Sequence, residues 1–306
     1  MNIHPGDWRV VADYGDQCGE GPLWDARTST LYWIDITGRR VCQHNWMTAQ
    51  SLIVTESLDI AGIGLHELGG FVMVNGQGIW LWDGSNPPVA VAQNLNGAPL
   101  AMNDCIVDPL GRLLSGSCYF DPERADYRLG KLIRVETDGT LAVLDEGFHL
   151  ANGLAFSPDC RTLYFADSAQ RKIFAYDYRV DNGTVGDRRT FVEIPTDEGI
   201  PDGITVDADG FVWCARWFGA GISRFDPNGR LQVKIALPAK QTSALAFGGP
   251  DLGTVFVTSA GSSDALPLAP PDYDAARGNI GGQLFAAELG ISGKEEFRCR
   301  IALPVS

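Results

Sequence analysis

The sequence predicts an all-β fold, a six-bladed β-propeller, and three observations carry that prediction. Short runs rich in Val, Ile, Leu, Phe, Tyr and Trp recur between turn signals such as Asp83-Gly84, Asp138-Gly139, Asp209-Gly210 and Asn228-Gly229, which is strand and hairpin punctuation. No long stretch of 3.6-residue periodicity competes with it. Six segments share one frame: Glu20-Gly21-Pro22-Leu23-Trp24, Ala61-Gly62-Ile63-Gly64-Leu65, Asn103-Asp104-Cys105-Ile106-Val107, Asn152-Gly153-Leu154-Ala155-Phe156, Asp202-Gly203-Ile204-Thr205-Val206 and Ser243-Ala244-Leu245-Ala246-Phe247. Their leading residues are 41, 42, 49, 50 and 41 apart, near the blade length of propeller repeats.

Each leading residue opens an inner strand. Five residues later comes a turn region (Asp25, His66, Asp108, Ser157, Asp207, Gly248), followed by a second apolar run such as Leu31-Tyr32-Trp33-Ile34 or Leu163-Tyr164-Phe165-Ala166. The stretch after Ser243 is a strand short of closing the ring, and residues 8–12 form a spare strand before the first repeat. The N-terminal strand is therefore expected to complete the last blade, giving one domain over residues 1–306; closure of this kind removes exposed sheet edges. A pair of β-sandwiches is the alternative all-β arrangement. Residues 118–129 and 262–282 are too long for hairpin loops and are candidates for lids or subunit contacts.

Composition narrows the function. With 306 residues, 45% apolar and 20% charged, the chain is an ordinary globular one. The 36 glycines and 17 prolines suit a fold of many tight turns. Its 24 basic against 38 acidic residues, net −14, and its lack of any basic run argue against nucleic acid or an anionic membrane surface as partner. Neither a signal-peptide pattern in the first 20 residues nor an 18-residue apolar run is present, so a cytoplasmic location is expected. The seven cysteines are odd in number and scattered without a CxxC pair, which points to buried thiols and not to disulfides or a thiolate zinc site. The four histidines have no HExxH spacing, and no GxSxG elbow accompanies a serine, which disfavours zinc-peptidase and Ser-His-Asp chemistry. Glycine clusters such as 62–70 lack the following helix that phosphate or dinucleotide binding requires. Nothing in the sequence sets the oligomeric state.

In a propeller the inner strands line a central channel, and the first residue of each lies at one mouth of it. Here that ring reads Glu20, Ala61, Asn103, Asn152, Asp202 and Ser243. Each residue singly is an ordinary turn former. Their common phase is different, because a turn does not require carboxylates or amides at the same channel-facing position in four blades. Two carboxylates converging in a small volume repel and lose hydration, and a divalent cation resolves that cost. Oxygen-only donors favour Ca²⁺, Mg²⁺ or Mn²⁺, and Zn²⁺ and Fe²⁺ also accept carboxylate. Trp217, Phe218, Tyr119 and Phe120 are the aromatics near enough to line a pocket at this mouth.

The segments Gly19-Glu20-Gly21-Pro22-Leu23-Trp24, Asn103-Asp104 with Val107-Asp108-Pro109 and Gly111-Arg112, Ala151-Asn152-Gly153-Leu154-Ala155-Phe156-Ser157-Pro158-Asp159, Pro201-Asp202-Gly203-Ile204 and Thr242-Ser243-Ala244-Leu245-Ala246-Phe247-Gly248-Gly249 resemble, in order, the senescence marker protein, gluconolactonase and regucalcin family. The resemblance implies a six-bladed propeller and a metal-dependent sugar lactonase. It implies Glu20, Asn152 and Asp202 as ligands of one divalent cation, Ca²⁺ first among the choices, with Asn103 orienting water or substrate. It places Asp121 where some members have an acidic substrate contact, although Asp is one methylene shorter than Glu. One position departs: members often carry Arg two residues before the motif Asn, and here Ala101 stands there. Arg216, at the end of the second strand of blade 5, is the candidate to replace that cation.

The expected chemistry is opening of a lactone ring by water, with the carbonyl polarised by the cation and Asp202 as the base. Two alternatives stay open: hydrolysis of a phosphotriester or non-sugar lactone on the same site, and a non-enzymatic calcium-binding propeller.

Overall fold

Residues 8–121, 127–262 and 268–302 are described in a computed structural model, where the apolar runs become strands of six antiparallel blade sheets, with a small two-stranded pair Asn94–Leu95 and Ala98–Pro99 between blades 2 and 3, and no helix among the described residues. Blade 1 comprises Gly19–Asp25, Thr30–Asp35, Arg40–Asn45 and Gln50–Thr55, in that spatial order. Blade 2 is built from Gly62–Leu65, Phe71–Asn75, Gly78–Trp82 and Val89–Ala92, and blade 3 from Met102–Val107, Leu113–Ser117, Gly130–Val135 and Leu141–Phe148. Blade 4 uses Ala151–Phe156, Thr162–Asp167, Lys172–Arg179 and Arg189–Glu193, with the short Thr184–Val185 added. Blade 5 has Ile200–Val206, Val212–Trp217, Gly221–Phe225 and Leu231–Ala236. In blade 6, Thr242–Gly248, Thr254–Ser259 and Gln283–Glu288 are followed at the outer edge by Arg9–Asp13, which pairs antiparallel with Gln283–Glu288. Every innermost strand packs against those of both neighbouring blades, and the ring closes between blades 6 and 1.

The first two strands of a blade are covered on both faces, so they read as near-continuous apolar runs instead of alternating ones; Val212–Trp217 and Thr254–Ser259 are buried along their length. The outer strands are less covered, Gln50–Thr55 half-exposed and Leu231–Ala236 largely exposed, and carry the Gln, Thr and Lys that blunt a free edge. The apolar core is accordingly divided among the blade interfaces. Six clusters fill them, each drawing side chains from two adjacent blades, such as Trp24, Trp33, Phe256 and Leu284 between blades 1 and 6 or Trp213, Phe247, Val257 and Phe285 between blades 5 and 6. With the core at the interfaces, the axis is left to the inner strands. An axial cavity runs along it, lined by residues of all six, with Glu20 and Asp104 at one end and Glu296 and Phe297 at the other.

The chain after blade 6 crosses the far face as a strap. Ala208 N–H donates to Ser292, Gly293 N–H to Leu252, Cys299 N–H to Leu65, Arg300 N–H to Gly111 and Ala302 N–H to Thr137. Blades 2, 3, 5 and 6 are thereby tied by main-chain bonds, and Arg298 adds an ion pair to Asp25 of blade 1. Cys299 pairs alongside His66 as a parallel bridge, and His66 bonds the Ile301 carbonyl at 3.1 Å. All seven cysteines are free thiols.

Candidate metal and substrate site

A break in the ladder aims the leading residues. In blade 1 the register between the first two strands slips by one residue between Glu20 and Leu23; the same slip occurs at Met102 to Cys105, Ala151 to Leu154, Pro201 to Ile204 and Thr242 to Leu245. Each is a β-bulge, which frees a residue from the ladder and redirects its side chain. Blade 2 has none, and its strands pair in register from Gly62 to Leu65. The glycine after the leader has its own reason. A Cβ on Gly153 would stand 2.5 Å from the Asp202 carbonyl oxygen and the Ile204 nitrogen, so only glycine lets blade 4 approach blade 5 this closely. Gly21 has φ 51°, a conformation glycine adopts without a Cβ penalty.

Five of the six leaders meet. Glu20, Ala61, Asn103, Asn152 and Asp202 line one cavity of about 150 Å³ at the mouth, together with Asp104 and Ser168 on the polar side and Cys18, Ile36, Leu150, Ile200 and Trp217 on the apolar side. Ser243 is the leader that stays out. It is fully buried, and its hydroxyl is spent on the Gly19 carbonyl and, at 3.0 Å, on Thr258. Asp121 is absent from the lining, partly exposed at the start of the 118–129 segment, whose residues 122–126 lie outside those described. Ala101 is also outside the lining; its carbonyl accepts from Cys118 N–H at 2.8 Å.

Arg216 does not fill the place expected for it. Its guanidinium turns away from the cavity, donating to Ser223 Oγ at 2.8 Å and to the Glu198 carboxylate at 3.1 Å, and it is 3% exposed. The expected substitution for the missing cation at Ala101 is therefore corrected. Arg216 pairs in register with Pro201, and the bond to Glu198 satisfies a charge that would be costly to bury alone.

The electrostatics follow from burial. Glu20 and Asp202 are within hydrogen-bonding reach of each other, and Asp202 also accepts from the Asn152 amide. The carboxyls of both are held well above the ordinary range: Glu20 by burial first and then by the charge of Asp104, Asp202 by burial first and then by Glu20 and Asp104. Asp104, half-buried beside them, is raised by burial to about 6 against one favourable bond from Cys105 N–H. Asn152 donates a second amide proton to Ser168 Oγ at 3.2 Å, which leaves its carbonyl oxygen as the remaining donor atom. Asn103 donates to the Ala151 carbonyl at 2.8 Å, so its orientation is fixed by blade 4. Among the described residues, no three His, Cys, Asp or Glu side chains stand at the spacing of a metal centre, and the candidate set is instead mixed: two carboxylates and amide oxygens. Buried, mutually repelling oxygen donors of this kind fit a hard divalent cation.

Two aspartates that sequence reasoning missed hold the leaders in place. Asp35, at the end of the second strand of blade 1, accepts from Gln17 N–H at 3.0 Å, Cys18 N–H at 2.9 Å, Gly38 N–H at 2.9 Å and Arg40 at 2.7 Å. Burial pushes its carboxyl up, but the bonds from Cys18, Gly38 and Arg40 outweigh that and hold it low. Asp167 does the same in blade 4, accepting from His149 N–H at 2.8 Å, Leu150 N–H at 3.2 Å and the Gln170 side chain at 2.7 Å. Each stands fifteen residues after its leader (20 to 35, 152 to 167) and pins the turn that enters the leader's strand. The signal was present as that repeated spacing.

Residues 18–261, from the turn before Glu20 to the end of the second strand of blade 6, match the family model described as "SMP-30/Gluconolactonase/LRE-like region". The chain belongs to the SMP-30/gluconolactonase/LRE-like family. Among its relatives in this family, pentonolactonase XacC of Haloferax volcanii is 32% identical over 96% of this chain and 98% of its own, and regucalcin of Xenopus laevis 31% identical over 90% and 92%. A luciferin-regenerating enzyme superposes with TM-score 0.84 at 26% identity, covering 96% of this chain and 99% of that one. A gluconolactonase from Xanthomonas campestris superposes with TM-score 0.75 at 25% identity, covering 94% and 90%. The six-bladed propeller expected from the repeat is the fold of this family member.

Proposed function

We propose that this family member opens a sugar lactone, an aldonolactone, by hydrolysis in the mouth cavity, with one divalent cation, Ca²⁺ first, held by Glu20, Asn152 and Asp202. The observation that carries the reading is the meeting of Glu20, Asn103, Asn152 and Asp202 on one cavity, in a chain related along nearly its whole length to a pentonolactonase. A bound dication supplies Lewis-acid stabilisation of the oxyanion that develops as water attacks the lactone carbonyl. Asp202, 4% exposed, takes the proton of that water. It is a weak base when it also ligates a cation, and an activated ester such as a lactone needs no strong one. Asn103, locked through Ala151, orients substrate. Asp121, partly exposed and outside the cavity lining, is kept as the candidate acidic contact for the part of the substrate that extends beyond the cavity. We also take the six blades as one domain, since Arg9–Asp13 completes the sheet of Gln283–Glu288.

The apolar side of the cavity, Ile36, Leu150, Ile200 and Trp217, and Ala101 in place of an arginine favour a second reading, a less hydroxylated lactone or a phosphoester as substrate. One experiment addresses both. Purified protein is analysed for bound metal and assayed with a pH indicator on aldonolactones, alkyl lactones and a phosphotriester, beside Glu20→Gln and Asp202→Asn. The expected outcome is turnover of aldonolactones that falls by about 10³-fold or more in either variant, with an unchanged circular dichroism spectrum. Full activity in either variant overturns the assignment, and turnover confined to the other compounds replaces the substrate.

A further inference from the structure

We propose that Arg171 is a positioning residue for substrate selection: it braces the apolar wall of Ile200 and Trp217, against which the carbon face of the lactone rests. The inference relies on the lactonase reading for the identity of the ligand, and on geometry for the brace. Arg171 lies in the turn after Thr162–Asp167, three residues beyond the cavity residue Ser168. Its guanidinium donates to the Gly199 carbonyl, immediately before Ile200, and at 2.6 Å to the Leu268 carbonyl. One side chain thus joins three pieces of chain: a blade 4 turn, the lead into the blade 5 inner strand, and the long segment between Thr254–Ser259 and Gln283–Glu288 of blade 6.

What it joins is the wall. Ile200, Trp217 and Phe218 form an apolar cluster with Ala260, and Leu268, Ala269 and Tyr273 pack onto it from outside. Phe218 meets Trp217 edge to face at 6.1 Å and Tyr273 at 4.6 Å. Tyr273 is anchored in turn by its hydroxyl on Gln241 at 3.2 Å. An apolar wall on the same cavity as the polar groups of Glu20, Asn103, Asn152 and Asp202 sorts the two faces of a lactone. Its oxygens go to those polar groups and its C–H face to the wall.

A comparison with blade 1 argues that the arginine is there for this contact. Its φ is 56°, a left-handed conformation that belongs to the turn. The residue at the same place in blade 1, Arg39, also has a positive φ and donates to the Ser57 carbonyl at 3.2 Å, yet it is half-exposed and its charge is met by Asp59. Arg171 instead lies partly buried, its basicity lowered by that burial and by the charge of Arg216. Among the described residues both its partners are carbonyls.

The test compares Arg171→Ala and Arg171→Lys with the parent protein by three measurements. In hydrogen exchange, the Ala variant is expected to exchange about tenfold faster or more in residues 199–202 and 268–273, with 102–107 unchanged. In kinetics on an aldonolactone and an alkyl lactone, KM for the preferred one rises about tenfold with kcat within about twofold, and the ratio between the two substrates shifts; Lys, able to reach one carbonyl, lies between. Calorimetry with Ca²⁺ gives a Kd within about threefold of the parent, since Arg216 still holds Glu198. Unchanged exchange at both segments overturns the brace. A loss of Ca²⁺ affinity as large as the rise in KM overturns its role in selection, because Asp202 itself has then moved. A parent protein that hydrolyses no lactone removes the lactonase reading and with it the selection step, while exchange alone still decides the brace.

Discussion

Blades 1 and 4 differ from blade 2 at the point where chemistry begins. All three start with an inner strand entering from the mouth, and in all three the end of the second strand is tied back to the chain that leads into it. In blades 1 and 4 the tie is an aspartate, Asp35 or Asp167, bonded to two successive main-chain N–H groups, and the ladder is bulged at Glu20 or Asn152. In blade 2 the tie is Asn75, whose amide donates to the Asp59 carbonyl at 3.0 Å; the ladder is unbroken and the leader is Ala61. The repeat therefore keeps scaffold and chemistry separate. A bulge turns a leader toward the axis, an aspartate fixes the turn before it, and where both are missing the blade contributes only a wall. Blade 6 shows that a bulge is not sufficient, since Ser243 is aimed inward and then consumed by Gly19 and Thr258.

Removing the tie is expected to break this difference most sharply. Asp167→Ala leaves the partly buried N–H groups of His149 and Leu150 without this partner and should cost about 3 kcal/mol, read as a fall in the unfolding midpoint, with a loss of cation affinity as Asn152 loosens. Asn75→Ala should cost about half as much and leave cation affinity alone; equal effects on affinity would show that the two ties do the same work.

A smaller effect is expected from pH. Glu20 and Asp202 are raised in the folded, cation-free protein, Glu20 to about 8. A raised folded-state value means that stability present below the unfolded pKa, about 4, is lost as pH rises toward 8. The cation-free protein should therefore melt lower at pH 8 than at pH 5 in this respect, and added Ca²⁺ should raise the midpoint more at pH 8, where both carboxyls can ionise. A Ca²⁺-induced shift that is larger at pH 5 would contradict the placement of the cation on these two groups. Smallest of all, Ala61→Ser should change stability by less than about 0.5 kcal/mol and Ca²⁺ affinity by less than about threefold, because a neutral hydroxyl on the cavity wall adds no charge to the carboxylates of Glu20 and Asp202; a marked gain in affinity would erase the contrast between blades.

Much of this was legible in the sequence because it depends on residue type at a fixed phase. The leading residues, their spacing and the punctuation between them suffice to give six blades. What escaped is local geometry. Asp104 follows Asn103, and strand alternation places neighbours on opposite faces, so one lining residue per blade was expected. The bulge between Met102 and Cys105 sets aside that alternation and brings both side chains to the cavity. Arg216 failed for a related reason: its position near the mouth was readable, but its demand for Glu198 and Ser223 was not, since Glu198 lies eighteen residues away in sequence.

The strap has a consequence for how the protein is made. The ring closes only when Gln283–Glu288 can receive Arg9–Asp13, and the far face is tied only when residues 292–302 arrive. Both events wait for chain that leaves the ribosome after the first five blades. Until then the axis of the early blades is unsealed, and the Arg9–Asp13 segment, which precedes all of them in the chain, is held without its partner while they are made.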